Sequence, residues 1–441
     1  MSLPILTGAR GWPRVLLAGG GPGPEAGIEV AEADGAWEAY RTAVSQLTPD
    51  AVISIVSESG LRGRGGAGYP VGSKWRDCAT QPERQRFVVA NGFEADPGAQ
   101  VDRTLMERAP HAVVEGVAIA AWAVRAASAI IVVRASAGTA AARLREAIAA
   151  AESRGHIGAE AAETGRPLRI EVRELAGSFV VGEETVLLRA LENRRAQPDQ
   201  RPPYPTRHGL WGKPTVVNNV KSLAAVPWIM RHGAAAHASL GQPNTPGTTL
   251  VQLGGVVRKP GVVEVPMGTT IRELLDGPGG FVQGPLKAVL VGGPSGGFLP
   301  PEALDTPLSS SALAAAGALL GSGTLLALDG STCLVELATL MTRYLSDEAC
   351  GKTIPCRIGT RRLAELGGAL CSGHVRPTDG ALIEDLAADM RAAALCGLEA
   401  QAPNPLTSGM RYFAAEFEDH VRRGACPAGV CHPIAVAGSA R

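Results

Sequence analysis

A glycine-rich stretch near the amino terminus restricts this chain more than any other part of its sequence. It covers residues 61–75 and reads LRGRGGAGYPVGSKW, with five glycines among fifteen residues. Glycine adopts positive φ angles readily and lets a ligand approach the main chain closely. The N–H groups of such a loop form a concave nest for anions, and Arg62, Arg64 and Lys74 add positive charge. The stretch therefore predicts a loop that binds a phosphate-bearing cofactor.

A flexible linker is the main alternative for this stretch. Linkers favour serine and rarely carry arginine, tyrosine and tryptophan at defined positions. The stretch contains Tyr69 and Trp75 and directly follows a helix-like apolar run at 51–58, so we favour the binding loop.

The overall composition restricts the class of protein. A chain of 441 residues is expected to hold two to four domains. Lysine plus arginine equals aspartate plus glutamate, at 42 each, so no bulk charge points to nucleic acid or to an anionic membrane. The N-terminus lacks the pattern of a secretory signal, and the most apolar stretch, 112–133, contains Glu115 and Arg125. We expect a soluble, cytoplasmic protein that neither binds nucleic acid nor inserts into a membrane.

Alternating helix and strand patterns predict an α/β domain with a largely parallel sheet at 36–240. A polar, turn-rich loop at 91–98 follows the first strand, and open α/β sheets bind ligands at the carboxyl ends of their strands. Residues 1–35 are expected to form an irregular arm. The expected elements of the domain are strands at 86–90, 129–134 and 169–173 and helices at 36–46, 51–57, 112–127 and 137–152.

The sequence pattern changes near residue 240. Short strands separated by glycine and proline turns predict a small α+β domain at 241–332, which we interpret as a structural or docking domain because it holds no cluster of reactive side chains. From 333 to 441 the pattern is helical. The expected elements of the small domain are strands at 249–257, 261–266, 287–291 and 323–328 and a helix at 270–275.

Six of the eight cysteines lie in the last hundred residues. Disulfides are rare in the cytoplasm, so this distribution favours metal ligation. Cys350 and Cys356, with the distant Cys396, suit an iron–sulfur or zinc site. The remaining Cys78 and Cys333 are interpreted as isolated, buried small side chains.

The carboxyl-terminal tail carries a second candidate metal site. Cys426, Cys431 and His432 could hold zinc, with Cys371 and His374 as further candidate ligands. Free thiols or a turn without metal are the alternatives that the sequence leaves open here.

Five motifs in a fixed order give the chain a family resemblance. They are SGLRGRGGAGYPVGSKW, NGFEADPG, VGEET, GLWGKPTVVNNV and CGKTIPCRIGT, which begin at residues 59, 91, 181, 209 and 350. In these motifs the chain resembles the FMN- and NADH-binding flavoprotein subunit of NADH dehydrogenases, the 51 kDa type of complex I. It is most similar to the diaphorase-type β subunits of NAD-dependent formate dehydrogenases and of NAD-linked or electron-bifurcating hydrogenases. The resemblance runs from about Gly35 to the C-terminus.

The resemblance implies a fold and an activity. The fold is a Rossmann-like FMN/NADH-binding domain at 36–240, a ubiquitin-like SLBB-type domain at 241–332 and a helical iron–sulfur domain at 333–441. The activity is that of a diaphorase subunit, an NADH:acceptor oxidoreductase that transfers a hydride between NAD(H) and FMN and passes single electrons to iron–sulfur centres or a partner. The implied partners are a thioredoxin-like 2Fe–2S or ferredoxin-type subunit and a formate dehydrogenase- or hydrogenase-like catalytic subunit.

The resemblance also implies the residues of the site. Those matching the NADH pocket are Tyr69, Phe179 and Tyr204, and those matching the ligands of a 4Fe–4S cluster are Cys350, Cys356 and Cys396. Those matching flavin contacts are Gly63, Arg64, Gly65, Gly66, Gly68, Lys74, Asn91, Glu94, Gly182, Glu183, Glu184, Asn218 and Asn219.

Three departures from the family pattern bear on function. Phe93 stands where the family has an acidic residue, and Phe179 and Val181 replace a frequent tyrosine and cysteine. Thr353 stands where the family has the middle cysteine of its cluster motif, and a hydroxyl is neither a soft nor a charged ligand. A three-iron cluster, a four-iron cluster with a non-cysteine ligand, and no cluster all stay open. The alternative function is a repurposed scaffold subunit with an incomplete electron path.

Overall fold

In a computed structural model of the protein, residues 3–18, 27–159, 161 and 165–431 are described. The strands are β1 (Phe87–Gly92), β2 (Ser128–Arg134), β3 (Arg169–Leu175), β4 (Thr215–Asn219), β5 (Gly241–Gln242), β6 (Thr245–Pro246), β7 (Thr248–Gly255), β8 (Gly261–Pro266), β9 (Leu286–Val291), β10 (Gly297–Leu299) and β11 (Thr324–Asp329). The helices as far as β11 are α1 (Ile28–Ala33), α2 (Glu38–Gln46), α3 (Pro49–Glu58), α4 (Val71–Ala79), α5 (Val101–Arg108), α6 (Pro110–Val124), α7 (Gly138–Ser153), α8 (Glu184–Leu191), α9 (Val220–His232), α10 (Ala234–Ala238), α11 (Ile271–Asp276) and α12 (Ser310–Ala315). Those after β11 are α13 (Leu334–Glu348), α14 (Ile354–Ser372), α15 (Asp379–Ala392), α16 (Gly397–Gln401), α17 (Asn404–Tyr412) and α18 (Ala414–Glu418).

The first sheet is parallel and has the order β3–β2–β1–β4. Its central strands are almost fully buried, as is usual for parallel sheets covered by helices on both faces. β1 and β4 pair in register, so that Asn91 lies opposite Asn219. The polar residues that end both strands therefore meet at one edge of the sheet, where open α/β sheets bind their ligands.

Helices α6 and α9 pack closely against each other, and small residues allow this approach. A Cβ atom on Gly116 of α6 would lie 2.0 Å from the carbonyl oxygen of Leu223 on α9. Most of α6 is buried, which explains its Ala- and Val-rich sequence without a membrane. In the described part of the chain, no helix combines the length and the apolar character that a membrane span requires.

The second sheet has the mixed order β10–β9–β11–β7–β8, and the N-terminal arm runs along its edge. The amide of Leu6 donates to the carbonyl of Val262 (2.7 Å), and the amides of Val15 and Leu16 donate to the buried carboxylate of Glu264 (2.7 and 2.8 Å). The arm predicted to be irregular is therefore docked on the second sheet, and it contains the helix α1.

The predicted fold class is confirmed: a Rossmann-like α/β region, a small α+β domain and a helical C-terminal region follow one another. Every strand predicted above is present within a few residues of its expected bounds. Among the elements that the sequence pattern missed are α4, which begins inside the predicted glycine-rich loop, and β4 and α5, because β4 is short and α5 carries mostly polar residues. The domain boundaries at 36, 241 and 333 stay predictions.

The substitution Gly116→Ala tests the close packing of α6 on α9. The added methyl group would meet a main-chain carbonyl, which cannot rotate away, so we expect a loss of about 2–3 kcal/mol in the free energy of unfolding. Chemical denaturation measures this. The control is Gly138→Ala, at an exposed helix start with open space around it, which should stay within about 1 kcal/mol of wild type. Equal stabilities of the two variants would contradict the packing described.

Candidate functional site

A cavity of about 700 Å³ opens at the carboxyl edge of the parallel sheet. Its volume suits a cofactor-sized ligand. It also reaches Cys396, which the sequence assigned to the metal site. The residues predicted to bind cofactor or substrate all line this cavity: Gly63, Arg64, Gly65, Gly66, Gly68, Tyr69, Lys74, Asn91, Glu94, Phe179, Gly182, Glu183, Glu184, Tyr204, Asn218 and Asn219.

The glycine-rich loop forms one wall of the cavity between α3 and α4. Gly66 and Gly68 have φ angles of +109° and +63°, which side-chain-bearing residues rarely adopt. A Cβ on Gly65 would lie 3.2 Å from Cβ of Asn219, so the loop lies directly against the start of α9. The N-terminus of a helix and a glycine-rich nest together favour a bound anion.

Arg64 has a role different from the phosphate contact that its position in the loop suggests. Its guanidinium is buried and donates to the carbonyls of Thr248 (2.9 Å) and Pro246 (2.5 Å) in the second domain. Burial, together with the charge of Arg62, lowers the pKa of Arg64 to about 10. The Arg64 side chain therefore fastens the loop to the second domain and is not available as a free cation.

The asparagines at the strand ends hold the cavity walls together. Asn91 donates to the carbonyl of Gly182 (2.9 Å), and Asn218 accepts from the indole N–H of Trp75 (2.9 Å). Asn219 caps α9 and donates to the carboxylate of Asp102 (2.6 Å). These bonds make the carboxyl edge of the sheet a rigid frame.

Glu94, one of the predicted flavin contacts, makes hydrogen bonds that stabilise the fold. Glu94 accepts the amides of Val101 (2.6 Å) and Asp102 (2.9 Å) at the start of α5. Burial and the charge of Asp102 raise the pKa of Glu94 to about 7. Glu94 therefore anchors α5 at the cavity wall.

The adjacent Glu183 and Glu184 make different contacts at the start of α8. Glu183 caps the helix, while Glu184 pairs with Lys74 (2.8 Å) and Arg201 (3.1 Å). Glu183 therefore satisfies the N-terminus of α8, and Glu184 neutralises the cations of the cavity wall.

The mouth of the cavity carries aromatic rings. Tyr69 and Tyr204 line the cavity and are 56% and 53% exposed, which leaves their ring faces open for a planar ring to stack. Phe93 is buried, with the guanidinium of Arg134 located 5.6 Å from its ring centre. The amide of Phe179 donates to Glu348 of α13 (2.5 Å), which links the cavity to the helical region.

Asp96 is a cavity residue that the sequence reasoning missed. Its Oδ2 accepts a bond from Ser322, whereas its Oδ1 has no hydrogen-bond partner among the described residues. Burial raises the pKa of Asp96 to about 7. The Asp-Pro-Gly sequence suggests only a turn, so the orphaned carboxylate oxygen becomes visible only in three dimensions.

Of the three predicted cluster ligands, Cys396 lines the cavity, Cys356 lies in the first turn of α14, and Cys350 lies just before that helix. Burial, together with the charges of Glu399, Cys396 and Cys350, raises the pKa of Cys356 to about 12. Cys396 is the N-cap residue of α16. Their thiols fit three of the four ligand positions of a cluster.

Thr353, at the remaining position of the motif, is engaged elsewhere. Its hydroxyl caps α14 and donates to the carboxylate of Glu399 (2.7 Å). The fourth thiolate of the usual ligand set is therefore replaced by a hydroxyl that bonds to a buried acid.

A second group of ligands lies at the carboxyl end and consists of Cys333, His420, Cys426 and Cys431. Their ligand atoms all lie within 4.8 Å of one another. The Cys333 sulfur is 3.4 Å from Nε2 of His420 and 3.6 Å from the sulfur of Cys431. Nδ1 of His420 lies 2.8 Å from the carbonyl of Glu416, which leaves Nε2 facing the sulfurs. Three thiols and one imidazole form a donor set suited to structural zinc.

The tail site predicted at Cys426 and Cys431 therefore acquires partners that the sequence did not suggest. The interpretation of Cys333 as an isolated small side chain was wrong, because its sulfur faces His420. His374 is exposed and contacts Ser372, apart from this group. Cys371 lies close to Cys431, and His432 lies outside the described residues.

The fold and these sites define a class of protein, the flavin- and NADH-binding subunits that carry an iron–sulfur region. Residues 56–228 match the Nuo51 FMN-binding domain, residues 250–299 the SLBB domain, and residues 336–420 the NADH-ubiquinone oxidoreductase-F iron-sulfur binding region. The chain belongs to the family of the F-type subunits of NADH-quinone oxidoreductase.

Similar proteins include subunits of NADH-quinone oxidoreductases and of hydrogenases. The chain is 38% identical to the second F-type subunit of NADH-quinone oxidoreductase of Rhizobium meliloti (strain 1021), over 90% of this chain and 94% of that one. It is 40% identical to the HndC subunit of the NADP-reducing hydrogenase of Solidesulfovibrio fructosivorans, over 88% of this chain and 79% of that one. A crystal structure of an air-oxidized NAD+-reducing [NiFe]-hydrogenase superimposes with a TM-score of 0.79 at 32% identity, over 88% of this chain. The chain spans 65% of the length of that hydrogenase chain.

The ionisation of Asp96 makes stability depend on pH. Its pKa is raised from 3.8 to about 7 on folding, so wild type should lose stability as pH rises through this window. Asp96→Asn removes the ionisation. Its unfolding free energy relative to wild type should therefore increase from pH 4 to pH 7 and then level off, as measured by denaturation in a pH series. A difference that does not vary with pH would contradict this assignment.

The Cys/His group at the carboxyl end predicts bound zinc. We expect about one zinc per chain by elemental mass spectrometry, lost on substitution of His420→Ala or Cys426→Ser. Thermal unfolding should move to lower temperature in both variants, because a structural metal stabilises the folded state. His374→Ala, which removes an exposed histidine outside the group, should keep the zinc. Equal zinc in all variants, or none in wild type, would refute the site.

Proposed function

We propose that the protein is the diaphorase subunit of a multi-subunit oxidoreductase, in which it transfers a hydride between NAD(H) and FMN and passes single electrons onward. One observation carries the proposal: a single cavity joins the glycine-rich loop, the start of α9 and the cluster residue Cys396. A cofactor in this cavity would lie between the solvent, where a dinucleotide enters, and the metal ligands, where electrons leave.

The residues of the carboxyl edge suit the binding of FMN, which when bound accepts a hydride from NADH and releases electrons singly. The loop amides around Gly65 and Gly66 and the N-terminus of α9 offer donors to the phosphate. Lys221 lies buried at the same wall, paired with Asp102 (2.9 Å). An anion would therefore bind to the main-chain N–H groups of the loop, because the cationic side chains of this wall, such as Lys221, are already paired with acids.

The mouth of the cavity suits the dinucleotide. Tyr69 and Tyr204 offer exposed ring faces for stacking on a planar base. Phe93 presents an apolar surface in the cavity, and a small movement of the buried Asp96 side chain would let its unpartnered oxygen accept a bond from an amide such as that of nicotinamide. We propose Asp96 as a positioning residue for the substrate.

The electrons would leave through the iron–sulfur region to a partner. Ile354 and Ile358 are exposed one turn apart on α14, on either side of Cys356 in the sequence, and suit contact with another protein. We propose a thioredoxin-like 2Fe–2S or ferredoxin-type partner. A hydrogenase-like catalytic subunit is supported by the similarity to HndC, whereas a formate dehydrogenase-like one and the cytoplasmic location stay predictions.

A repurposed scaffold subunit is the second candidate, and Thr353 favours it because the usual cysteine is absent. A scaffold would retain the fold without binding flavin or responding to NADH. The flavin measurements below separate the two functions.

The purified chain should carry FMN, and NADH added without oxygen should bleach its visible flavin absorption. Gly66→Ala should lower the FMN content at least about tenfold, because strain at φ +109° distorts the loop against the cofactor. The control is Gly98→Ala, which also has a positive φ (+81°) but lies outside the cavity, and it should keep its FMN.

Two results of the FMN measurements would contradict these assignments. A colourless wild-type protein that takes up no FMN on reconstitution would overturn the diaphorase proposal. Equal loss of FMN in both variants would indicate a general loss of stability and would refute the assignment of the loop.

A further inference from the structure

Glu399, on the short helix α16, is a buried acid without a countercharge. It is only 1% exposed, and no ion pair in the described part of the chain involves it. Burying a carboxylate is unfavourable unless it is paired or coordinates a metal. The carboxylate instead contacts the start of α14, through the hydroxyl of Thr353.

The hydrogen bonds of Glu399 leave it with unused acceptor capacity. Oε1 accepts from the hydroxyl of Thr353 (2.7 Å), and Oε2 accepts from the amide of Leu395 (2.9 Å). A carboxylate has about four lone-pair sites, so each oxygen retains one. The two bonds fix the orientation of the carboxylate while leaving it able to bind a cation.

The group made of Cys350, Cys356, Cys396 and Glu399 thus provides four anionic ligands. The Glu399 carboxylate accepts from the hydroxyl of Thr353 (2.7 Å), which in turn accepts from the amide of Cys356 (3.4 Å), and Cys396 lies three residues before Glu399, at the start of the same helix. Bound to iron, the three side chains of cysteine would be thiolates, and the carboxylate would complete a set of four anionic ligands.

We propose that the carboxylate of Glu399 is the fourth ligand of the iron–sulfur cluster, replacing the thiolate missing at Thr353. Thr353 is a positioning residue: its hydroxyl caps α14 at the amide of Cys356 and ties the carboxylate to the start of that helix. Hydrogen bonds to a ligating carboxylate are a usual feature of metal sites. Of the three states that the sequence left open, the four-iron cluster with a non-cysteine ligand is the one that these contacts favour.

Iron counting on the full-length protein, purified and reconstituted without oxygen, tests the ligand. Wild type should contain about four irons and four sulfides per chain. Glu399→Ala should fall to about three irons and acquire the EPR and Mössbauer signature of a three-iron cluster. The control Glu384→Gln, at an exposed glutamate of α15, should match wild type.

A second variant guards against simple misfolding. In Thr353→Cys/Glu399→Ala the usual cysteine returns, so four irons should return as well, with an altered EPR spectrum. Four irons and an unchanged spectrum in Glu399→Ala would overturn the proposal. So would three irons or none in wild type.

The role of Thr353 has its own readout. Thr353→Ser keeps the hydroxyl and should keep the wild-type EPR spectrum, whereas Thr353→Val removes it and should shift the spectrum. Identical spectra for both variants would remove Thr353 from the proposal.

The inference rests on the proposed function only in assuming that the cluster carries electrons from the flavin to a partner. NADH bleaching of FMN tests the diaphorase proposal and does not require iron, whereas the iron content tests Glu399 and does not require NADH. Either can therefore fail alone.

Discussion

The parallel pairing of β1 with β4 is the constraint on which the rest of the site depends. It sets Asn91 opposite Asn219, and so brings together the loop after β1 and the start of α9. The glycine-rich loop then packs on Asn219, and Asn91 holds the loop that precedes α8. A shift of one residue in this register would turn these side chains to the opposite face and disperse the cavity.

Much of the fold and of the cavity could be predicted because the signals are local. Strands, glycine loops and helix caps depend on neighbouring residues, and the order of the motifs carried the family resemblance. The cavity then collected the predicted residues, although several of them, such as Glu94 and Asn218, make structural bonds that their sequence position does not reveal.

What the sequence did not reveal depends on contacts between distant residues. Arg64 bonds to Thr248, 184 positions away, and Cys333 faces His420, 87 positions away. The bond of Thr353 to Glu399 spans 46 positions. A single sequence contains no local pattern for such pairs, so Cys333 was interpreted as an isolated buried side chain and Glu399 was not identified as a candidate.

The guanidinium of Arg64 has a consequence for motion. Because it joins the cofactor loop to carbonyls of the second domain, a rotation of that domain would pull directly on the cavity wall. A partner that docks on the second domain would then change the grip on the flavin without touching it. The small domain, which holds no reactive cluster of its own, would in this way transmit the docking of a partner to the flavin-binding loop.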